Sequence, residues 1–243
     1  MTFPPELLRC LAAAQRVTVL TGAGVSAESG VPTFRDAQTG LWAKFKPEEL
    51  ATPTAFRREP RLVWEWYAWR RELVAKANPN PAHLALVEWE IRASSFTLIT
   101  QNVDDLHRRA GTHNIIELHG NITRTKCFDE NVVVKEWPDT AEIPPRCPRC
   151  GGFLRPDVVW FGEAMPEKET SRAFAVSAQC DVFLSIGTSA VVYPAASLPV
   201  HALEHGVTVI EINPDPTPLT DKADYVLTGP AGVILPELMS ALA

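Results

Sequence analysis

Thr21-Gly22-Ala23-Gly24-Val25-Ser26, continuing through Ser29-Gly30-Val31-Pro32-Thr33-Phe34-Arg35, decides how this chain is read. The stretch follows Val17-Thr18-Val19-Leu20, an apolar run that reads as a buried strand. In α/β proteins a strand running into glycines that open a helix brings backbone N–H groups toward a pyrophosphate. Gly22, Gly24 and Ala27 fit the G-x-G-x-x-G/A spacing of dinucleotide sites, although small residues also serve tight strand–helix packing. Phe34 and Arg35 lie past the turn, on a loop that begins at Pro32, runs through Gly40 and is placed to close over a ligand. An ordinary Rossmann half supplies a second strand and an acidic residue about twenty positions on. Here Pro47, Pro53, Pro60 and a tryptophan-rich helix intervene, and the next strand-like run is Phe96-Thr97-Leu98-Ile99. A long insertion therefore separates the first two strands.

Working outward, strands are expected at Val17–Leu20, Phe96–Thr100, Ile115–Glu117, Val182–Ile186, Val207–Ile212 and Tyr225–Leu227. Several are followed by Gly, Asn or Asp and then a helical pattern, the alternation of a mainly parallel sheet. Such sheets bind ligands at the carboxyl ends of their strands. Polar clusters fall there: Thr21-Gly22, Gln101-Asn102-Val103-Asp104, His119-Gly120, Gly187-Thr188-Ser189 and Asn213-Pro214-Asp215. Each alone suits a cap or turn; together they describe one crevice. The expected fold is α/β, a Rossmann-like parallel-sheet domain from residues 1–40, 81–120 and 156–243. Residues 41–80 and 121–155, helical and cysteine-bearing respectively, form a smaller lobe built from two insertions.

The chain has 243 residues, 46% of them hydrophobic, enough to bury a full core. A net charge of −6 excludes a basic nucleic-acid groove and leaves room for a lysine-bearing peptide partner. Glu6, Arg9 and Arg16 interrupt the N-terminal apolar residues, so no signal peptide is expected, and no apolar span predicts a membrane helix. Of five cysteines, Cys127, Cys147 and Cys150 cluster, while Cys10 and Cys180 read as core packing. This usage fits a reducing, cytoplasmic compartment.

In order and spacing, Gly22-Ala23-Gly24-Val25-Ser26, Gly30-Val31-Pro32-x-Phe34-Arg35, Thr100-Gln101-Asn102-Val103-Asp104, His119-Gly120, Gly187-Thr188-Ser189 and Asn213-Pro214-Asp215 resemble the sirtuin family. The resemblance spans essentially the whole chain. It implies NAD-dependent removal of acyl groups from protein lysines, with nicotinamide and O-acyl-ADP-ribose as products. It also implies a Rossmann-like domain plus a small zinc-bearing lobe. Carried over residue by residue, Gly22, Ala23, Gly24 and Ser26 surround the NAD phosphates, and Gln101, Asn102 and Asp104 line the nicotinamide pocket. Thr188, Ser189, Asn213 and Asp215, with Gly187, hold the adenosine half, and the Ala231 backbone touches adenine. Phe34, beside Arg35, shields the ribose C1′ centre from water. His119 is the expected general base, its ordinary pKa near 6.5 suiting proton abstraction from a ribose hydroxyl at neutral pH; Asn102 and Asp104 complete the catalytic set. Val158-Val159-Trp160-Phe161-Gly162-Glu163 resembles the strand that pairs with the substrate backbone, which makes Val159, Phe161 and Gly162 substrate-binding.

Tyr67 and Arg70 stand at i, i+3 on one helical face. Periodicity alone reads this as an aromatic core helix with Arg70 paired to a nearby Glu. The resemblance assigns Tyr67-x-x-Arg70 instead to the class III, desuccinylase-like branch, whose acyl substrates end in a carboxylate. A guanidinium beside a phenol suits that group, and Ala51 leaves room for a longer chain. Succinyl, malonyl, glutaryl and acetyl are not ranked. At the metal site Cys147-Pro148-Arg149-Cys150 is a knuckle, but its partner reads Cys127-Phe128-Asp129-Glu130, where the family carries a cysteine at Glu130. Either Glu130 or Asp129 supplies an oxygen ligand, or the lobe folds without metal; the expectation leans to no stable zinc. Two other functions compete: mono-ADP-ribosyl transfer, and a non-catalytic NAD or ADP-ribose sensor. His119, Asn102 and Asp104 argue against the sensor, and Tyr67 with Arg70 argues for an acyl substrate. Oligomeric state is not readable.

Overall fold

The apolar runs line up in one parallel sheet. The computed structural model describes residues 2–32, 46–139 and 141–242. In chain order the elements are α1 (Pro5–Ala13), β1 (Arg16–Thr21), α2 (Ala23–Ala27), α3 (Pro47–Leu50), α4 (Pro53–Arg58), α5 (Pro60–Lys76) and α6 (Pro81–Arg92). They continue with β2 (Ser95–Thr100), α7 (Leu106–Ala110), β3 (Ile115–Glu117), β4 (Gly120–Cys127), β5 (Leu154–Val158) and α8 (Glu167–Gln179). The last are β6 (Val182–Ile186), α9 (Leu198–Glu204), β7 (Thr208–Asn213), β8 (Tyr225–Thr228) and α10 (Ala231–Ala241).

The six-stranded sheet runs β3-β2-β1-β6-β7-β8, every pairing parallel. Because side chains alternate across a strand, β1 sends Val17 and Val19 to one face and Leu20 to the other. β6 divides likewise, with Val182, Leu184 and Ile186 opposite Phe183. The first face is covered by α1 (Leu7, Leu11), α6 (Leu86, Trp89) and α10 (Ile234, Leu235, Leu238). The second is covered by α8 and α9 through Ala173, Leu198 and Ala202. With both faces buried, the strands can be nearly continuous apolar runs, and the predicted strand ends agree with the observed ones to within a residue or so.

Outside the sheet, α4 and α5 pack on the antiparallel pair β4–β5, which sequence patterning did not show. Phe56, Val63, Trp66 and Tyr67 meet Ile122, Val158 and Trp160 in one buried cluster. A second, smaller cluster holds Cys127, Cys147 and Leu154. Where the helical insertion ends, Asn80 caps α6: its Oδ1 accepts from the N–H of Ala82 (2.9 Å) and of His83 (3.4 Å), with Pro81 at the first helical position. Asn80 also donates to the Val25 carbonyl at 2.7 Å, pinning α2 against α6. Among the described residues no helix is long and apolar enough to cross a membrane.

Candidate active site

Strand order reverses between β1 and β6, and here the loops leaving the two strands interlock. The Gly22 N–H donates to the Ile186 carbonyl (3.0 Å) and the Gly24 N–H to the Gly187 carbonyl (2.9 Å). A methyl group at Gly22 or Gly24 would lie 2.7–2.8 Å from Gly187 backbone atoms, and one at Gly187 would lie 2.6 Å from the Val25 nitrogen. Gly187 also sits at φ +60°, which favours glycine. Gly22, Ala23 and Gly24, expected around the NAD phosphates, thus stand at the strand switch point, with the Gly22 and Gly24 N–H groups bonded to the neighbouring loop. The glycines serve close backbone approach, and Ala23 is the first residue of α2. Thr188 turns inward, its Oγ1 3.0 Å from Ser185 Oγ. Asn213 donates to the carbonyls of Thr188 (3.3 Å) and Asp215 (2.9 Å), tying the loops after β6 and β7 together. Ser189 follows Thr188 in the first of these loops. Ala231 opens α10, where the Gly232 N–H donates to Glu28 at 2.9 Å. Phe34 and Arg35 lie outside the described residues.

On the other side of β1, Asn102 donates through Nδ2 to the Gly22 carbonyl (3.0 Å) and to Ser26 Oγ (3.1 Å). Its N–H reaches Thr100 Oγ1 at 3.0 Å. Asp104 is buried; it accepts from the Leu106 N–H at 3.0 Å and from Ser26, and burial is the main reason its carboxyl is held above the usual range. Half-buried His119 sits between β3 and β4 with Nδ1 3.0 Å from the Gln101 carbonyl. A carbonyl can only accept, so Nδ1 carries the proton and Nε2 is the bare nitrogen. Burial lowers the His119 pKa, against the raising effect of the Gln101 bond. At neutral pH the imidazole is thus uncharged, as a proton acceptor must be.

Sequence reasoning missed what lies beneath. Thr21 Oγ1 donates to Thr100 Oγ1 and meets His107 Nε2, both at 2.9 Å. The His107 ring stands 4.7 Å from that of His83, which is bonded to Asn80. Desolvation pushes His83 down to about 4 and His107 well below its ordinary value. Two buried histidines separated by more than twenty residues give no local signal.

Tyr67 and Arg70 do share a face of α5, and Tyr67 packs into the buried cluster with Trp66, Val158 and Trp160. Trp160 Nε1 donates to the Tyr67 hydroxyl at 2.9 Å. Burial pushes the phenol up to about 12, against the opposing attraction of Arg70. The Arg70 guanidinium lies 5.1 Å over the Trp66 ring and is attracted by Tyr67 and Asp104, while desolvation lowers its pKa. The Ala51 carbonyl accepts from the Phe161 N–H at 2.9 Å, and the His119 carbonyl from the Val159 N–H at 2.9 Å. These two bonds tie the segments of Ala51 and His119 to the chain that follows β5. They also correct the expectation of a strand over Val158–Glu163. β5 ends at Val158, and the chain then turns through Gly162 at φ +83° with the Glu163 N–H bonded to the Trp160 carbonyl. The Val159 and Phe161 N–H groups are already satisfied within the chain.

Cys127, Cys147, Cys150 and Glu130 bring one ligand atom each to within 4.8 Å of one another. Cys127 Sγ and Cys150 Sγ are 3.4 Å apart. A tetrahedral thiolate site with metal–sulfur bonds of about 2.3 Å has edges of roughly 3.8 Å. The donor set therefore fits a zinc-sized ion, which runs against the expected lack of one. N–H groups of Glu130 and Gly152 point at Cys127 and Cys150 sulfur, both at 3.4 Å, as suits thiolates. Arg149 holds the Glu130 carboxylate at 3.2 Å.

Comparison with known proteins agrees with this geometry. A family model described as the Sir2 family matches residues 22–194. An "NAD-dependent protein deacylase" of Pyrococcus furiosus is 52% identical over 244 residues, covering 98% of this chain and 97% of that one. A solved Sir2 homolog–NAD complex superposes with a TM-score of 0.92 at 49% identity, covering 99% of this chain and 94% of that one. A structure of Sir2 bound to acetylated peptide gives 0.88 at 28% identity, each chain covered in full. Motifs, sheet order and full-length likeness agree: the chain belongs to the Sir2 family.

Proposed function

We propose that this protein is an NAD-dependent protein-lysine deacylase that prefers acyl groups ending in a carboxylate. The observation that carries the preference is the buried Tyr67 with half-buried Arg70 one turn on, set beside Trp160 and within electrostatic reach of Asp104. Family membership supports the deacylase activity itself. NAD, when bound, supplies an electrophilic C1′ that takes the acyl oxygen. The chain's residues prepare the ground for that step. Ala23, Ser26, Asn102 and Asp104 gather at the strand switch point, where a dinucleotide lies in such folds. Asn102 is held in place by Gly22 and Ser26, so its amide is fixed before ligand arrives. Gln101 fixes the His119 tautomer, leaving Nε2 to take a proton from a ribose hydroxyl. The substrate backbone lies against Val159, Phe161 and Gly162, which implies loose sequence preference around the lysine.

The chain works as two lobes, the sheet domain and a smaller one made of residues 41–80 and 121–155, with the crevice between them. Cys127, Cys147, Cys150 and Glu130 would hold zinc in the smaller lobe, where the ion would act on folding rather than chemistry.

The acyl preference is tested on peptides of one sequence carrying succinyl- or acetyl-lysine, measuring kcat/KM from nicotinamide release. A hydrogen bond to a charged group contributes about 1.5–3 kcal/mol. Arg70→Met should therefore lower the succinyl-to-acetyl ratio by about tenfold to a few hundredfold. Equal loss of both activities would make Arg70 a structural residue of α5 and refute the preference.

A further inference from the structure

The Tyr67 hydroxyl can donate or accept, and a phenol that accepts a bond from Arg70 offers a substrate carboxylate less than one that donates to it. Which role it takes is decided 93 positions away in sequence. Indole nitrogen is a donor only, so in its 2.9 Å bond to Trp160 the phenol must accept. Its own hydrogen is then directed elsewhere. The indole cannot turn aside. Trp160 is 2% exposed, its ring 5.3 Å from that of Phe56 and 3.2 Å beneath the Arg155 guanidinium. Arg155 is itself buried and forked onto Glu163 at 2.5 and 3.0 Å. Glu163 accepts from the Trp160 N–H at 2.8 Å, so both the backbone and the ring of Trp160 are held. Burial keeps the phenol protonated through neutral pH.

We propose that Trp160, clamped by Arg155 and Glu163, is a positioning residue that forces the Tyr67 hydroxyl to donate, and so sets selectivity for a carboxylate-ended acyl group. With the indole occupying the phenol's lone pair, Tyr67 and Arg70 present donors and no acceptor to the acyl terminus. A carboxylate satisfies such a pocket and a methyl group does not. This inference rests on the acidic-acyl reading above.

The test is a double-mutant cycle on the succinyl-to-acetyl ratio of kcat/KM, using matched peptides at saturating NAD, with Trp160→Phe, Tyr67→Phe and the pair. Trp160→Phe keeps an aromatic ring and deletes the N–H. Losing one neutral hydrogen bond corresponds to about two- to tenfold, and the ratio should fall by that much, mainly through KM for the succinyl peptide. Because Trp160 acts through Tyr67, adding Trp160→Phe to Tyr67→Phe should move the ratio no further. Additive losses, or equal loss on both peptides, would overturn the inference and make Trp160 a packing residue. If Arg70→Met lowers the ratio and Trp160→Phe does not, this inference fails while the acyl preference stands. If Arg70→Met leaves it unchanged, both fail.

Should the Phe variant not fold, the wild-type protein carries the same test in its 15N indole spectrum, which has seven tryptophans. The resonance displaced by Tyr67→Phe must move on adding succinyl-lysine peptide and hold still on adding acetyl-lysine peptide. The reverse pattern, or no response to either, overturns the inference.

Discussion

Acid should weaken this protein well before its carboxylates titrate, and the cause is the buried pair of His83 and His107. A histidine whose folded pKa lies below its unfolded value contributes stability in full above the unfolded pKa, near 6.5. That stability is lost as pH falls toward the folded pKa. His83 is pushed down to about 4, and at about 1.4 kcal/mol per pH unit the full effect is about 3 kcal/mol. Between pH 7 and 5 the unfolded state takes up the proton and the folded state does not, so about 2 kcal/mol should already be gone. His107, also lowered well below its ordinary value by burial and by its neighbour His83, adds to the same slope. Asp104, raised by burial, works in the opposite sense, so a variant is needed as reference. His83→Gln keeps a polar side chain at the third helical position for Asn80 and removes the titrating group. Urea unfolding at pH 7 and pH 5 measures the slope. The variant should lose markedly less stability than wild type over that interval. Equal losses would refute the claim that the folded protein holds His83 neutral.

The remaining predictions address catalysis, metal and the strand switch point. His119→Ala should cut deacylation by about a hundredfold or more, while calorimetry still detects NAD binding; near-normal turnover removes His119 from the chemistry. In the wild-type enzyme, the acid limb of kcat assigned to this residue should fall below pH 6.5, since burial lowers its pKa and only the neutral ring accepts a proton. Elemental analysis should find about one zinc per chain, and Glu130→Ala should lower both zinc content and Tm; metal far below stoichiometry would restore the reading of a metal-free lobe. Gly187→Ala puts a methyl group 2.6 Å from the Val25 nitrogen at a positive φ, a strain of about 3 kcal/mol, so thermal scans should show Tm about 10 °C lower.

What could be read from sequence and what could not divide along a physical line. The six sheet strands were legible because a parallel sheet covered on both faces needs nearly continuous apolar runs, and Val182–Ile186 is apolar but for Ser185. β4 was not: Gly120-Asn121-Ile122-Thr123-Arg124-Thr125-Lys126-Cys127 holds one large aliphatic side chain, and its register shifts between Asn121 and Thr125. Its polar side chains are satisfied by groups brought from elsewhere, such as Arg71 and Asp157, which no window of sequence contains. The same line runs through the site. Tyr67 and Arg70 stand three apart on one helix, so spacing alone puts them on a common face. Trp160, which fixes the direction in which Tyr67 can donate, arrives from another element. The glycine motif marks the crossing of two loops correctly, yet the identity of the crossing partner, Gly187, decides that the Gly22 and Gly24 N–H groups are consumed in packing. Spacing within an element reports which groups share a face. Which atom each group has left to offer a substrate is set by contacts between elements, and for Tyr67 that contact is the Trp160 indole.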